Sequence, residues 1–150
     1  MVLFVKVPDL FEAFTELEIN LATDSIRIAL SNIAPAAETL NPLVSNQGIL
    51  ANVTQIAYTN YSDDLVVDRV LEGVTSNEAA GIYTFDANNV VISAVGGALA
   101  TFRYIYVYDF TATTPANPLL CLIDNELGIT LASGESVTIA WNALGIFTIA

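Results

Sequence analysis

The chain has 150 residues and a formal net charge of −12, with four basic and sixteen acidic side chains, no histidine and one cysteine. Binding to nucleic acid or to an anionic membrane surface is not expected, because both depend on clustered Lys and Arg. The same counts exclude Ser-His-Asp and Cys-His catalytic sets, zinc sites built from His and Cys, and an intrachain disulfide.

The N-terminal region combines a short apolar stretch with a helix pattern. Residues 1–8 alternate weakly and predict an edge strand or an arm that reaches a neighbouring molecule. They do not resemble a secretory signal, which needs a basic start, a longer apolar stretch and a cleavage site of small residues. Residues 9–17 predict a short helix, because Asp9 and Glu12 form a capping box and an apolar stripe follows at helical spacing.

A period of two replaces the helical spacing after this segment. Residues 17–22 alternate apolar with polar or small side chains, and residues 25–30 do so more cleanly, as in half-buried strands. Residues 32–46 contain two prolines and predict a long loop, of a kind that is either functional or docked on a surface. Weaker strands are predicted over residues 50–58 and 64–73.

Regular strand patterns continue to the end of the chain. They cover residues 81–85, 90–95, 100–110, 119–124, 136–141 and 145–150, with turn signals between them. The strongest strand, 100–110, has an aromatic face made of Phe102, Tyr104, Tyr106 and Tyr108. Such a face usually packs in a core or a subunit contact. The alternative is an exposed platform on which sugar rings stack.

These patterns together predict an all-β fold. About eight strands follow one another at spacings near ten residues, with no helices long enough for parallel crossovers. We expect an antiparallel β-sandwich of about eight strands with one short N-terminal helix, in a single domain over residues 1–150; a barrel is the alternative. The core is expected at Ile26, Ile28, Leu30, Ile139, Trp141 and Phe147.

No residue is predicted to be catalytic, to bind a cofactor or to bind a metal. The acidic groups at Asp63-Asp64, at Asp86 and at Asp124 with Glu126 match no calcium-loop pattern, so they are interpreted as solvated loops. Carboxylate pairs of the glycosidase kind have no support at a fixed spacing. Cys121 lies in an apolar run and is interpreted as a buried core thiol.

The hydrophobic content is high for a chain without a membrane-spanning segment. Hydrophobic residues make up 54% and charged residues 13%, whereas globular chains average about 45–50% and about 25%. This surplus predicts burial against other copies or another protein; the alternative is a dense core under a Thr, Asn and Ser exterior. The predicted contact residues are Val2, Leu3, Phe4, Val5, Pro35, Leu40, Pro42, Leu43 and Val44.

Four stretches resemble a known group of proteins. They are LEINLATDSIRIAL at 17–30, ATFRYIYVY at 100–108, TATTPANPLLCLID at 111–124 and ESVTIAWNALGIFTIA at 135–150. Their combination of an acidic-aliphatic run, an aromatic strand, a Thr/Pro loop and a closing strand is similar to small β-rich structural proteins of tailed bacteriophage virions. Residues 31–80 lie outside the resemblance.

The resemblance implies a non-enzymatic capsid cement or decoration protein on the outside of the virion, made in the host cytoplasm. Its partner would be the major capsid protein, and it would also self-associate, as a trimer or alternatively a dimer, without a cofactor. A tail or head-fibre component that binds carbohydrate for host recognition is the alternative role. Exposed rings on the aromatic face would favour that alternative, and buried rings would remove it.

Overall fold

The computed structural model of the protein describes residues 3–6, 19–36, 48–62 and 69–149, with the backbone alone for residues 3–6. Nine strands lie in these ranges: β1 (Leu3–Lys6), β2 (Ile26–Ser31), β3 (Thr75–Ala79), β4 (Ile82–Asp86), β5 (Val90–Ser93), β6 (Phe102–Asp109), β7 (Leu119–Ile129), β8 (Ser136–Ile139) and β9 (Phe147–Ile149). The described residues include one 3-10 turn, Leu50–Asn52, and no α-helix. The all-β class is therefore confirmed, and the helix predicted over 9–17 lies outside the described residues.

The strands form three antiparallel sheets. The largest has the order β1-β7-β6-β2, so that β1 and β2 are its edges; the others have the orders β3-β4-β9 and β5-β8. In the largest sheet, Ile28 of β2 lies opposite Val107 of β6, and Phe4 of β1 lies opposite Ile123 of β7. The β1–β7 and β2–β6 pairs join segments that are far apart in the chain, whereas β6 and β7, like β3 and β4, are consecutive strands.

Three local predictions differ from the structure. Residues 19–24 form a turn rather than a strand, because the Asn20 carbonyl accepts the N–H groups of Thr23 and Asp24. Residues 50–58 form the 3-10 turn and an irregular segment rather than a strand. In that segment, the Ile56 N–H donates to the Leu30 carbonyl. Strand β3 was not expected, because its sequence, TSNEA, is polar and mostly exposed and therefore lacks the alternation that identifies a strand.

The main core cluster contains side chains from all three sheets. Of the predicted core residues, Ile26, Ile28, Leu30 and Phe147 are buried, and Ile139 and Trp141 are partly buried and packed against the cluster. The Phe85 ring of β4 stacks on the Phe147 ring of β9 with 5.1 Å between centroids. The core prediction is therefore confirmed, with two of its members at the margin.

A second apolar cluster lies on the other face of the largest sheet. Its members are Ala29, Tyr104, Tyr106, Tyr108, Leu119 and Leu122, and Leu50 and Val53 pack against them. Phe102 belongs to the main core instead, and the pairing of β6 with β7 is irregular between Phe102 and Tyr104. The prediction that Phe102 shares a face with the tyrosines is therefore wrong.

Candidate functional site

A groove opens where β8 and β9 leave their common turn. The two strands meet at a bridge between Asn142 and Gly145, and then β8 pairs with β5 while β9 pairs with β4. Their divergence leaves a groove of ≈ 670 Å³, lined from the largest sheet by Ile105 and Ile123. We name it the β8–β9 groove.

The single tryptophan of the chain lines this groove. The Trp141 indole N–H donates to the Asn88 carbonyl at 2.8 Å, and the Trp141 backbone N–H donates to Asn89 Oδ1 at 3.1 Å. The ring is partly buried, since it packs against the main core on one side and borders the groove on the other. These contacts hold the ring in one orientation at the groove wall.

The turn beside the groove presents an exposed leucine on a well-bonded backbone. Asn142 accepts the Leu144 N–H through Oδ1 at 2.9 Å and the Gly145 N–H through its carbonyl at 2.8 Å. Gly145 has φ +96°, and a Cβ there would lie 2.7 Å from the Phe85 carbonyl oxygen, so the position requires glycine. Leu144 borders the groove, yet its side chain is 76% exposed.

The groove is apolar and uncharged. None of the described residues that line it has an ionisable side chain; they are aliphatic or aromatic residues, glycine, threonines and two asparagines. Such a surface binds by van der Waals contact and by a few amide or hydroxyl hydrogen bonds. We therefore interpret it as a binding surface.

The tyrosine face is not available for stacking with a ligand. Tyr104, Tyr106 and Tyr108 are all buried. Burial, with a smaller effect of Tyr104, raises the pKa of the Tyr106 hydroxyl to about 12. Because sugar rings need exposed aromatic faces, the predicted alternative of a carbohydrate platform here loses its structural basis.

Two carboxyl groups meet where the turn after Ile19 approaches the end of β6. Asp109 is fully buried; its Oδ1 accepts the N–H groups of Thr111 at 2.7 Å and Ala112 at 3.2 Å, whereas none of the described residues donates a hydrogen bond to its Oδ2. Burial raises the pKa of Asp109 to about 6, and the neighbouring Asp24 carboxyl contributes to the rise. Ionising Asp109 is therefore unfavourable in the folded protein, because burial and the neighbouring carboxyl both favour its protonated form.

The other candidates for chemistry have structural explanations. Arg103 holds Asp124 by two bonds of 2.6 and 2.7 Å, and these hydrogen bonds keep the pKa of Asp124 below its usual value. Cys121 is fully buried and burial raises its pKa, as expected for an inert core thiol. Within the described ranges, no group of three or more His, Cys, Asp or Glu side chains is arranged to hold a metal. Asp63 and Asp64 lie outside these ranges.

The predicted contact residues are separated in the fold. Leu3, Phe4 and Val5 lie on β1, one edge of the largest sheet, and Pro35 follows β2, the opposite edge. The remaining predicted contacts, Val2, Leu40, Pro42, Leu43 and Val44, lie outside the described residues. The sequence predicted the turn at 142–145 but not the groove beside it. The groove depends on β8 and β9 pairing with different strands, and strand pairing cannot be inferred from local sequence patterns.

Comparison with known proteins does not assign the chain to a family: no family model, no curated protein and no solved structure matches it. Among the described residues, no helix has the length and apolar character needed to cross a membrane.

Proposed function

We propose that this protein is a non-enzymatic virion component, a decoration protein that binds across joints between major capsid subunits. The observation that carries the proposal is the exposed aliphatic surface of a chain that has few charges. Ile82, Val91 and Leu127, on three different strands, are 45%, 52% and 75% exposed. Exposed apolar side chains that lie together in one patch favour docking on another protein.

A rigid sandwich would suit that role. We propose that the two smaller sheets form one layer facing the four-stranded sheet, with the main core between the layers. The proposal is supported by the main cluster, to which Phe85 of β4, Ile92 of β5 and Val107 of β6 all contribute. A stiff layer structure transmits load between neighbouring capsid subunits without unfolding.

The alternative roles have less support. A carbohydrate-binding fibre component would need exposed rings, and the tyrosine rings are buried. A carboxylate-based hydrolase would need two reachable carboxyl groups in a concave site. Asp109 is fully buried, and the described lining of the β8–β9 groove contains no acidic residue.

Binding to purified capsids of the encoding phage tests the proposed function. We expect the protein to sediment with capsids at a saturating ratio and to raise the temperature at which they rupture. Replacing Ile82, Val91 and Leu127 by Asp, one at a time, should weaken binding in at least one variant without lowering its Tm. Asn77→Asp adds the same charge at an exposed polar position and should bind as the wild type does. Failure of the wild type to bind capsids would refute the proposal.

A further inference from the structure

We propose that the β8–β9 groove is a self-association surface, in which Leu144 of each copy enters the groove of the other across a twofold axis. The inference goes beyond the proposed function, because it holds whether or not the protein binds capsids. The occupant of the groove is a second copy of this chain. Three features of the described residues support it: charge, shape and the rigidity of the turn.

Charge restricts where two copies can meet. Each chain carries a formal net charge of −12, so two copies repel one another wherever acidic surfaces approach within about a Debye length, ~8–10 Å. The groove and the adjoining turn, residues 142–145, form a continuous patch whose described side chains are all uncharged. Like-charged copies therefore meet at this patch with less direct repulsion than at an acidic part of the surface.

Shape makes the patch complementary to itself. Leu144 is an exposed apolar projection at the rim of an apolar groove on the same molecule. A twofold axis brings the projection of each copy to the groove of its partner, so that both contacts form together. A closed ring of three copies would need the projection and the groove on different faces. The geometry therefore favours a dimer over the trimer expected from the resemblance.

Rigidity reduces the entropy lost on association. The Asn142 side chain and carbonyl both bond the turn, and Gly145 fits closely against the Phe85 carbonyl. Leu144 is therefore presented by a preorganised backbone, which leaves little loop entropy to be lost on docking.

Light scattering during size-exclusion chromatography tests the proposal over a range of protein concentrations. We expect the mass to rise with concentration from the single-chain 16.0 kDa towards twice that value. Leu144→Asp should raise the dimer dissociation constant by roughly 30-fold or more, as expected for the loss of a central apolar contact. The matched control is Leu127→Asp, because Leu127 is 75% exposed and Leu144 is 76% exposed; it should dimerise as the wild type does.

Trp141 provides a second readout, because it is the single tryptophan and it lines the groove. Its emission should shift to longer wavelength on dilution of the wild type and of Leu127→Asp, and in Leu144→Asp the same shift should occur at concentrations roughly 30-fold higher or more. Equal effects of the two substitutions, a trimer mass or a monomer at every concentration would overturn the inference. Emission that shifts only when capsids are added would also overturn it, since a foreign protein would then fill the groove.

Discussion

Replacing Asp109 by Asn should stabilise the protein at neutral pH. Asp109 is fully buried; one of its oxygens accepts two backbone N–H groups, and the other has no donor in the part of the chain that the structure describes. Asn keeps the accepting oxygen, removes the charge, and places an amide N–H group beside the Asp24 carboxyl. The substitution therefore removes the unfavourable buried charge, and it preserves the hydrogen bonds from the N–H groups of Thr111 and Ala112.

The magnitude follows from the difference between the folded and unfolded pKa values. Folding raises the pKa of Asp109 from 3.8 to about 6. Because the folded pKa is the higher one, the folded state binds the proton more tightly, and stability is lost as the pH rises between these two values. The difference corresponds to roughly 3 kcal/mol, which is fully lost above about pH 7 and largely retained below about pH 4.

Urea unfolding followed by Trp141 fluorescence between about pH 4 and pH 8 measures the effect. We expect Asp109→Asn to exceed the wild type by up to roughly 3 kcal/mol at the upper end and to differ little at the lower end. Asp24→Asn should give a smaller gain, since burial is the largest cause of the raised pKa. Glu72→Gln removes one charge at an exposed position and serves as the control. A gain that does not change with pH, or a loss at pH 8, would refute the reasoning.

Three further substitutions or reactions test local features of the fold. Cys121 should not react with a thiol reagent in the folded protein and should react fully in denaturant, because it is completely buried; rapid native labelling would contradict its place in the core. Ala80→Asn should raise the free energy of unfolding by about 0.5–1 kcal/mol. The β3–β4 turn has positive φ at Ala80 and Gly81, and Asn-Gly suits such a turn. Thermal unfolding measures the effect, and a lower Tm would argue against this turn. Gly145→Ala should destabilise the protein by more than about 1 kcal/mol, because φ is +96° and the new Cβ would lie 2.7 Å from the Phe85 carbonyl oxygen; an unchanged urea midpoint would show that the turn can move away from β4.

The high hydrophobic content has a partly internal explanation. The largest sheet is apolar on both faces, with the main core on one side and the tyrosine cluster on the other. A sheet covered on both faces uses more apolar residues than one with a wet face. Fewer apolar residues therefore remain at the surface than the composition alone indicates. Those that do are chiefly exposed aliphatic side chains such as Leu127 and Leu144.

Local alternation was sufficient to identify several elements. Strands β2, β6 and β8 were predicted close to their observed positions because apolar and polar side chains alternate along them. This alternation is visible within a few consecutive residues. The turn at 142–145 and the buried state of Cys121 were predicted for the same reason, since both depend on near neighbours in the chain. The sequence by itself therefore determined the all-β class and much of the main core.

The features with functional interest depended on contacts between distant segments. Strand β3 is polar and becomes a strand only through its pairing with β4. The β8–β9 groove exists because two strands joined by a turn pair with different partners, and the Asp24–Asp109 pair joins groups on separate segments. Hydrogen-bond pairing between strands is set by the energy of the whole packed structure, so only the tertiary structure decided where these groups meet.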